Sequence, residues 1–237
     1  MNYTILVCDD DKDIAKALEV YLSMKNYQVV IVDNGEKAVQ AIREQEIHLL
    51  LLDVMMPVMD GIEAASQIRQ FSNVPIIFLS AKAEEIDRIH GLNVGGDDYV
   101  TKPFNPVELM ARVKANLRRY ARLGGMEQAE VGQQHNGIYQ TGGLRLDDGK
   151  KLVTVNDEEV RLTAIEYNIL KFLMMHIDFV FSSAQIYEQV WNEPAFDVGK
   201  TISVHIRHIR EKIEINPKEP QFLKVVYGLG YKVVKIK

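Results

Sequence analysis

Short apolar runs and amphipathic stretches alternate along the first half of the chain. Residues 3–8, 28–32, 48–52, 76–79 and 98–101 are continuous runs rich in Val, Ile and Leu, the pattern of strands buried on both faces. Between them, Ile14, Leu18, Tyr21 and Leu22 recur at helical spacing over 13–25, and Met110, Val113 and Leu117 do so over 105–119. Strand–helix alternation repeated five times predicts parallel βαβ units. Residues 1–120 are therefore expected to form a doubly wound α/β domain on a five-stranded parallel sheet.

The pattern breaks at 121–137, where four glycines and three glutamines replace the large apolar residues. This stretch reads as a flexible linker with a reach of about 20–25 Å. Beyond it, 144–162 look like short strands joined by the turn-formers Asp147-Asp148-Gly149 and Asn156-Asp157. Thr163 and Glu166 form a capping-box candidate for a helix with Ile169, Leu170, Leu173 and Met174 on its apolar face. Helices are expected at about 183–191 and 200–215, then a hairpin, FLKVVY and YKVVKI around Gly228-Leu229-Gly230. Three helices with a terminal β-ribbon outline an α+β winged helix-turn-helix domain over 138–237.

Charge sharpens the division. Residues 1–120 carry 13 Lys+Arg against 18 Asp+Glu, whereas 138–237 carry 14 against 13. An acidic first part and a near-neutral second fit two domains with different tasks. The single cysteine, Cys8, allows no disulfide framework, and the run Leu49–Leu52 stops at Asp53, far short of a membrane span. The first residues have no basic segment ahead of an apolar one, so a cytoplasmic setting is expected.

In doubly wound sheets ligands sit at the carboxyl ends of the strands. There the chain places Asp9, Asp10 and Asp11 after the first strand, Asp53 at the end of the third, Ser80 at the fourth, and Thr101, Lys102 and Pro103 at the fifth. Converging carboxylates repel unless a cation joins them, and an all-oxygen site suits Mg²⁺. A carboxylate left free to attack would form an acyl phosphate, with Mg²⁺, a lysine and a hydroxyl on the phosphoryl oxygens. Asp11 is expected to cap the first helix rather than bind metal. Cys8 reads as a small buried hydrophobe, and Met55, Met56 and Met59 read as loop packing.

The segments VCDDD, LLLLDVMMPVMDG, IIFLSA and DDYVTKPF make 3–120 resemble the receiver domain of two-component response regulators, a flavodoxin-like fold. The resemblance implies that Asp53 accepts phosphate, and that Asp9, Asp10, Asp53 and the Met55 carbonyl hold Mg²⁺. It also implies that Ser80 senses the phosphate, Lys102 neutralises it, Tyr99 is the rotating aromatic, and Pro103 follows a cis peptide. Helical stretches at 84–94 and 105–119 are expected to flank the fifth strand, and charges alternate there: Arg88, Asp97, Asp98, Glu108, Arg112, Arg118 and Arg119. Taken alone they describe a solvated surface. In the OmpR/PhoB-type subfamily this face forms the active homodimer, which would pair Arg88 with Glu108, Asp98 with Arg112 and Asp97 with Arg119 across the subunits.

In KTISVHIRHIREKIE, Ile202, Ile206, Ile209 and Ile213 fall within an arc of about 60°. Lys200, Ser203, Arg207 and Arg210 share another of about 80°, turned away from it. A helix with exposed Arg enters the major groove, where Arg reads guanine and Lys or Ser takes phosphate. LTAIEYNIL, this helix and YGLGYKV resemble the winged-helix output domain of OmpR/PhoB-type regulators. That implies DNA contacts at Lys200, Thr201, His205, Arg207 and Arg210. Tyr227 stands where the family's wing has an arginine and is expected among the DNA contacts with Ser203, and Lys224 or Lys232 is left for phosphate. An aromatic there, with the whole-chain pattern, is similar to the subgroup containing VanR-type regulators.

The expected function is therefore a phosphorylation-activated transcriptional regulator. Its implied partners are a sensor histidine kinase, promoter DNA with direct-repeat half-sites, RNA polymerase and a second copy of the chain. No enzymatic turnover is expected beyond the receiver's own phosphorylation and dephosphorylation. Two other classes stay open. A dehalogenase-type phosphatase or phosphotransferase would want an acid two residues after the nucleophile, where this chain has Met55. A signalling scaffold would not bind DNA through Arg207.

Overall fold

The structure is a computed structural model that describes residues 3–81, 96–121, 137–192 and 198–236. The expected helix at 84–94, with Arg88, and nearly all of the linker lie outside the described residues. The chain divides into two compact units, Met1–Gly125 and Met126–Lys237.

In the first unit, β1 (Thr4–Cys8), β2 (Gln28–Val32), β3 (Leu49–Asp53), β4 (Ile76–Ala81) and β5 (Asp98–Lys102) form a parallel sheet in the order β2-β1-β3-β4-β5. Its central strands are apolar throughout because both faces are covered. Leu6, Cys8, Leu50, Leu52, Ile76 and Phe78 point to one core, and Ile5, Val7, Leu49, Leu51, Ile77 and Leu79 to the other, as a period of two requires. Helices α2 (Gly35–Glu44) and α3 (Gly61–Arg69) cover the first face through Ala38, Val39, Ala64, Ala65 and Ile68. Helices α1 (Lys12–Ser23) and α4 (Pro106–Tyr120) cover the second through Ala15, Leu18, Leu22, Leu109, Val113 and Leu117.

Each of these helices starts where a short polar side chain satisfies its free N–H groups. Asp11 accepts from Asp13 and Ile14, Asn34 from Lys37, Asp60 from Glu63, and Asn105 from Val107. Asp11 is thus the cap that its position suggested. The order of strands reverses at β1 and β3, so their carboxyl ends flank a crevice where ligands bind in this architecture.

The second unit opens with an antiparallel sheet, β6 (Ile138–Thr141), β7 (Leu144–Asp147), β8 (Leu152–Val155) and β9 (Glu158–Glu159). β6 was not anticipated; it is a four-residue edge strand with a polar Gln140 at its centre. The turn at Asn156 and Asp157 has positive φ at both residues, 52° and 67°, as a tight hairpin needs. Three helices follow: α5 (Ala164–Met175), α6 (Ser183–Trp191) and α7 (Gly199–Ile213). Thr163 and Glu166 close the expected capping box on α5, and Ser182 and Gln185 close a second on α6. The hairpin β10 (Leu223–Val226) and β11 (Gly230–Val233) ends the unit as its wing. The core gathers Ile165, Leu170, Leu173, Ile186, Trp191, Ile202, Ile206, Ile209, Leu223 and Val233, all almost fully buried. No helix among the described residues is long and apolar enough to cross a membrane.

Asp148 ties this sheet to the helices. It accepts from Tyr167 Oη at 2.8 Å and from Lys171 and Lys151 at 2.7 Å each. Burial raises its pKa, but the bonds from Lys151, Lys171 and Tyr167 outweigh burial and hold it below the usual carboxylate range. A depressed carboxylate contributes its stability above the unfolded pKa of about 3.9 and loses it as pH falls through the folded value. Asp148→Asn is therefore expected to lower the urea midpoint of this unit at pH 7, with the gap to the unsubstituted chain narrowing below about pH 4. Fluorescence of Trp191, the single tryptophan, reports the transition.

Candidate functional site

The carboxyl ends of β1, β3 and β5 bring Asp9, Asp10, Asp53 and Lys102 to one rim of the sheet. Oxygens of the three carboxylates lie within 4.8 Å of one another, Asp9 and Asp53 buried and Asp10 exposed. Lys102 Nζ sits between two of them, 2.7 Å from Asp9 Oδ2 and 3.1 Å from Asp53 Oδ2. Asp9 Oδ1 also accepts from the Asp11 N–H at 3.0 Å. Burial pushes the Asp53 pKa up, Lys102 pulls it back, and Asp9 pushes it further up; the balance lies above the usual range. Burial works against the Lys102 charge, but the Asp9 bond and the charges of Asp53 and Asp9 outweigh it and raise its pKa. The donor set is all oxygen and strongly anionic, which fits a small hard cation such as Mg²⁺.

Ser80 is buried near the end of β4, in register with Thr101 on β5. Tyr99 is almost fully buried in the core cluster that holds Phe78, Val54 and Cys8. The Met55 side chain is exposed in the loop that leaves β3. The Lys102–Pro103 peptide is cis, as the resemblance implied. Cys8 packs as the expected small hydrophobe: its thiol donates to the Asn34 carbonyl at 3.2 Å. Burial first, and then the charges of Asp9 and Asp53, push its pKa far up.

The 97–119 face differs from expectation. Asp97 and Arg119 are buried, not surface charges. Asp97 Oδ2 accepts from Arg69 Nη2 at 2.7 Å and from the Ile76 N–H at 2.9 Å. Arg69 also donates to the carbonyls of Ser72 and Val74, so the pair locks α3 to the start of β4. Sequence reasoning missed Arg69, whose partner is 28 residues away. Asp98 pairs with Arg112 at 2.9 Å within the same chain, and Arg112 with Glu108 at 3.0 Å.

On α7 the outward arc is Lys200, Ser203 and Arg207, all exposed, and Arg207 Nε donates to Glu211 at 2.7 Å. Two of the expected DNA contacts lie off this exposed arc. Thr201 and His205 are buried, because they lie on the flank of the isoleucine stripe and turn inward with it. Arg210 is half-buried and gives its Nε–H to the Leu223 carbonyl at 2.9 Å. Tyr227 stands at the wing tip, 90% exposed.

A doubly wound sheet with a carboxylate–lysine rim, followed by a winged helix with a basic outward face, defines a two-part class: a receiver and a DNA-binding output domain. Comparison with known proteins agrees. Residues 5–114 match the family described as response regulator receiver domain, and 157–233 that described as transcriptional regulatory protein, C terminal. The uncharacterized transcriptional regulatory protein YrkP of Bacillus subtilis is 41% identical over 98% of both chains. Regulatory protein VanR of Enterococcus faecium is 38% identical over 99% of this chain and 100% of its own. The crystal structure of DrrB, an OmpR/PhoB homologue from Thermotoga maritima, is 31% identical, covers 99% of this chain and 100% of its own, and superposes with a TM-score of 0.50. The chain belongs to the OmpR/PhoB-type response regulators, and is a phosphorylation-dependent transcriptional regulator.

Gly61 is the tightest constraint on the pocket. A Cβ there would lie 2.0 Å from the Asp53 carbonyl oxygen, so α3 starts against the backbone of the acidic residue. Gly61→Ala is expected to cost about 1–3 kcal/mol, as overpacking does, and to lower the thermal transition of the first unit measured by calorimetry.

Proposed function

We propose that Asp53 is the phosphoryl acceptor and that a sensor histidine kinase is the donor. An Asp53 carboxylate oxygen attacks phosphorus, the P–N bond to the kinase imidazole breaks, and an acyl phosphate forms. The reading is carried by one observation: Lys102 Nζ bridges Asp9 and Asp53 while Asp10 stands within reach of the same point. Asp9, Asp10, Asp53 and the Met55 carbonyl would hold Mg²⁺, which when bound neutralises phosphoryl oxygens. Lys102 moves from the carboxylates to a phosphoryl oxygen, and the Ser80 hydroxyl donates to another.

Ser80 and Tyr99 lie on neighbouring strands, so a shift at the phosphate reaches the 97–119 face. There Glu108, Asp98 and Arg112, with Arg88, exchange within-chain pairs for pairs with a second copy. Asp97 and Arg119 support that face from beneath. Two paired chains place two output domains on direct-repeat half-sites, and the linker raises the second domain's effective concentration. Lys200, Ser203 and Arg207 make the DNA contacts, and RNA polymerase is the downstream partner. The phosphate need only bias a two-state balance by a few kcal/mol.

Acetyl phosphate with Mg²⁺ is expected to add one phosphate to the full chain by intact mass and to shift it to a dimer by light scattering. Asp53→Asn is expected to do neither. Full phosphate uptake by that variant removes Asp53 from the acceptor role.

A further inference from the structure

Helix α3 touches the proposed acceptor at one end and the approach to β5 at the other. At its first residue, Gly61 donates its N–H to the Val54 carbonyl at 2.9 Å, and a Cβ there would meet the Asp53 carbonyl oxygen. Val54 gives its own N–H to the Leu79 carbonyl at 3.0 Å. The residue after Asp53 is thus tied both to β4, beside Ser80, and to α3. At the last residue of α3, Arg69 forks. Its Nη1 donates to the Val74 carbonyl at 2.6 Å and to the Ser72 carbonyl at 3.3 Å, and its Nη2 to Asp97 Oδ2 at 2.7 Å. Asp97 Oδ2 also accepts the Ile76 N–H, at the start of β4, at 2.9 Å, and the Asp97 N–H donates to the Ile76 carbonyl at 2.9 Å. The pair is withdrawn from water, the Arg69 side chain being 12% and the Asp97 side chain 2% exposed.

Between these ends α3 has 9 residues, about 13 Å of helix. Its hydrogen-bond ladder resists stretching, so a displacement at one end reaches the other. Its inner side is Ala64, Ala65 and Ile68, all fully buried. Two methyl groups and one longer side chain make a shallow contact, of the kind along which packed helices shear. Asp97 immediately precedes Asp98, the first residue of β5. Neighbouring residues of an extended chain turn to opposite faces. Asp97 therefore meets α3, while Asp98 Oδ1 accepts from Arg112 of α4 at 2.9 Å and from the Tyr99 N–H at 2.8 Å. The end of α3 and the Asp98–Arg112 pair are separated by a single peptide bond.

We propose that Arg69 is a positioning residue for the signal: α3 carries a shift at the acceptor to Arg69, and Arg69 passes it through Asp97 to β5 and the Asp98–Arg112 pair. The inference rests on Asp53 as the acceptor and on this face as the dimer surface. The route is separate from the one through Ser80 and Tyr99, since it runs along a helix on one face of the sheet and reaches β5 from its amino end. It gives Asp97 a task inside its own chain. Transmission of this kind has a measurable size, the ratio of dimer dissociation constants without and with phosphate. A residue that only supports the fold contributes equally to both states and leaves that ratio alone.

The test measures that ratio by analytical ultracentrifugation of the full chain, before and after treatment with acetyl phosphate and Mg²⁺. Changing Arg69 alone would strand the buried Asp97 charge. The main variant therefore combines Arg69→Gln with Asp97→Asn, whose amide oxygen can still accept the Ile76 N–H. Its phosphate uptake by intact mass is expected to stay within about twofold of the unsubstituted chain, and its ratio to fall about tenfold, inside the usual range of coupling between sites. Arg69→Lys keeps the charge and loses the fork, so it is expected to lower the ratio by a smaller factor. Circular dichroism melts check that each variant is folded, and Arg69→Lys decides the matter if the double variant is not. An unchanged ratio with normal uptake overturns the inference and leaves α3 a scaffold, with the acceptor and dimer readings standing. Loss of phosphate uptake in a folded double variant also overturns it, by making Arg69 a support of the pocket. An unsubstituted chain that takes up phosphate and stays monomeric overturns the dimer reading and the inference with it.

Discussion

Among the described residues Lys102 is the cation that two buried carboxylates share, and the receiver pocket depends on it. Asp9 and Asp53 stand at the ends of neighbouring strands, almost wholly out of water. Two such charges side by side would drive one of them to take up a proton. The ammonium at 2.7 Å and 3.1 Å keeps both in play, and it can move when another group brings charge of its own. The same balance acts on Asp53, the proposed nucleophile: burial and the Asp9 charge raise its pKa against the pull of Lys102, and its backbone oxygen meets the start of α3 at Gly61.

The architecture accounts for that placement. A parallel sheet lets each strand end in a different polar residue while its length stays apolar, so chemistry collects at one rim and stability in the layers behind it. The second unit separates roles in the same way, with the isoleucines of α7 in the core and Lys200, Ser203 and Arg207 in water. The buried Asp97 and Glu214 and the partly buried Arg69 and Arg210 make hydrogen bonds within the fold. They tie elements together at points where backbone groups would otherwise lack partners.

Most of this was legible in the sequence because each feature has a local cause. LLLLD reads as a central strand with an acid at its rim, and Thr163 with Glu166 reads as a helix start, since four or five adjacent residues decide each. What escaped depends on distant partners or on the flank of a pattern. Asp97 looked like surface charge because Arg69, which buries it, belongs to another helix. Thr201 and His205 enter through the resemblance as DNA contacts, and their burial follows from their place on the flank of the isoleucine stripe. The edge strand at Ile138–Thr141 is too short and too polar at Gln140 to stand out.

The most direct measurement is to reduce the phosphorylated chain with borohydride, which converts an aspartyl phosphate to homoserine, and to locate the new residue by peptide mass. Homoserine at position 53 alone is the predicted result. Homoserine at Asp9, Asp10 or any other aspartate would show that the lysine bridge does not mark the acceptor, and would contradict the account at its base.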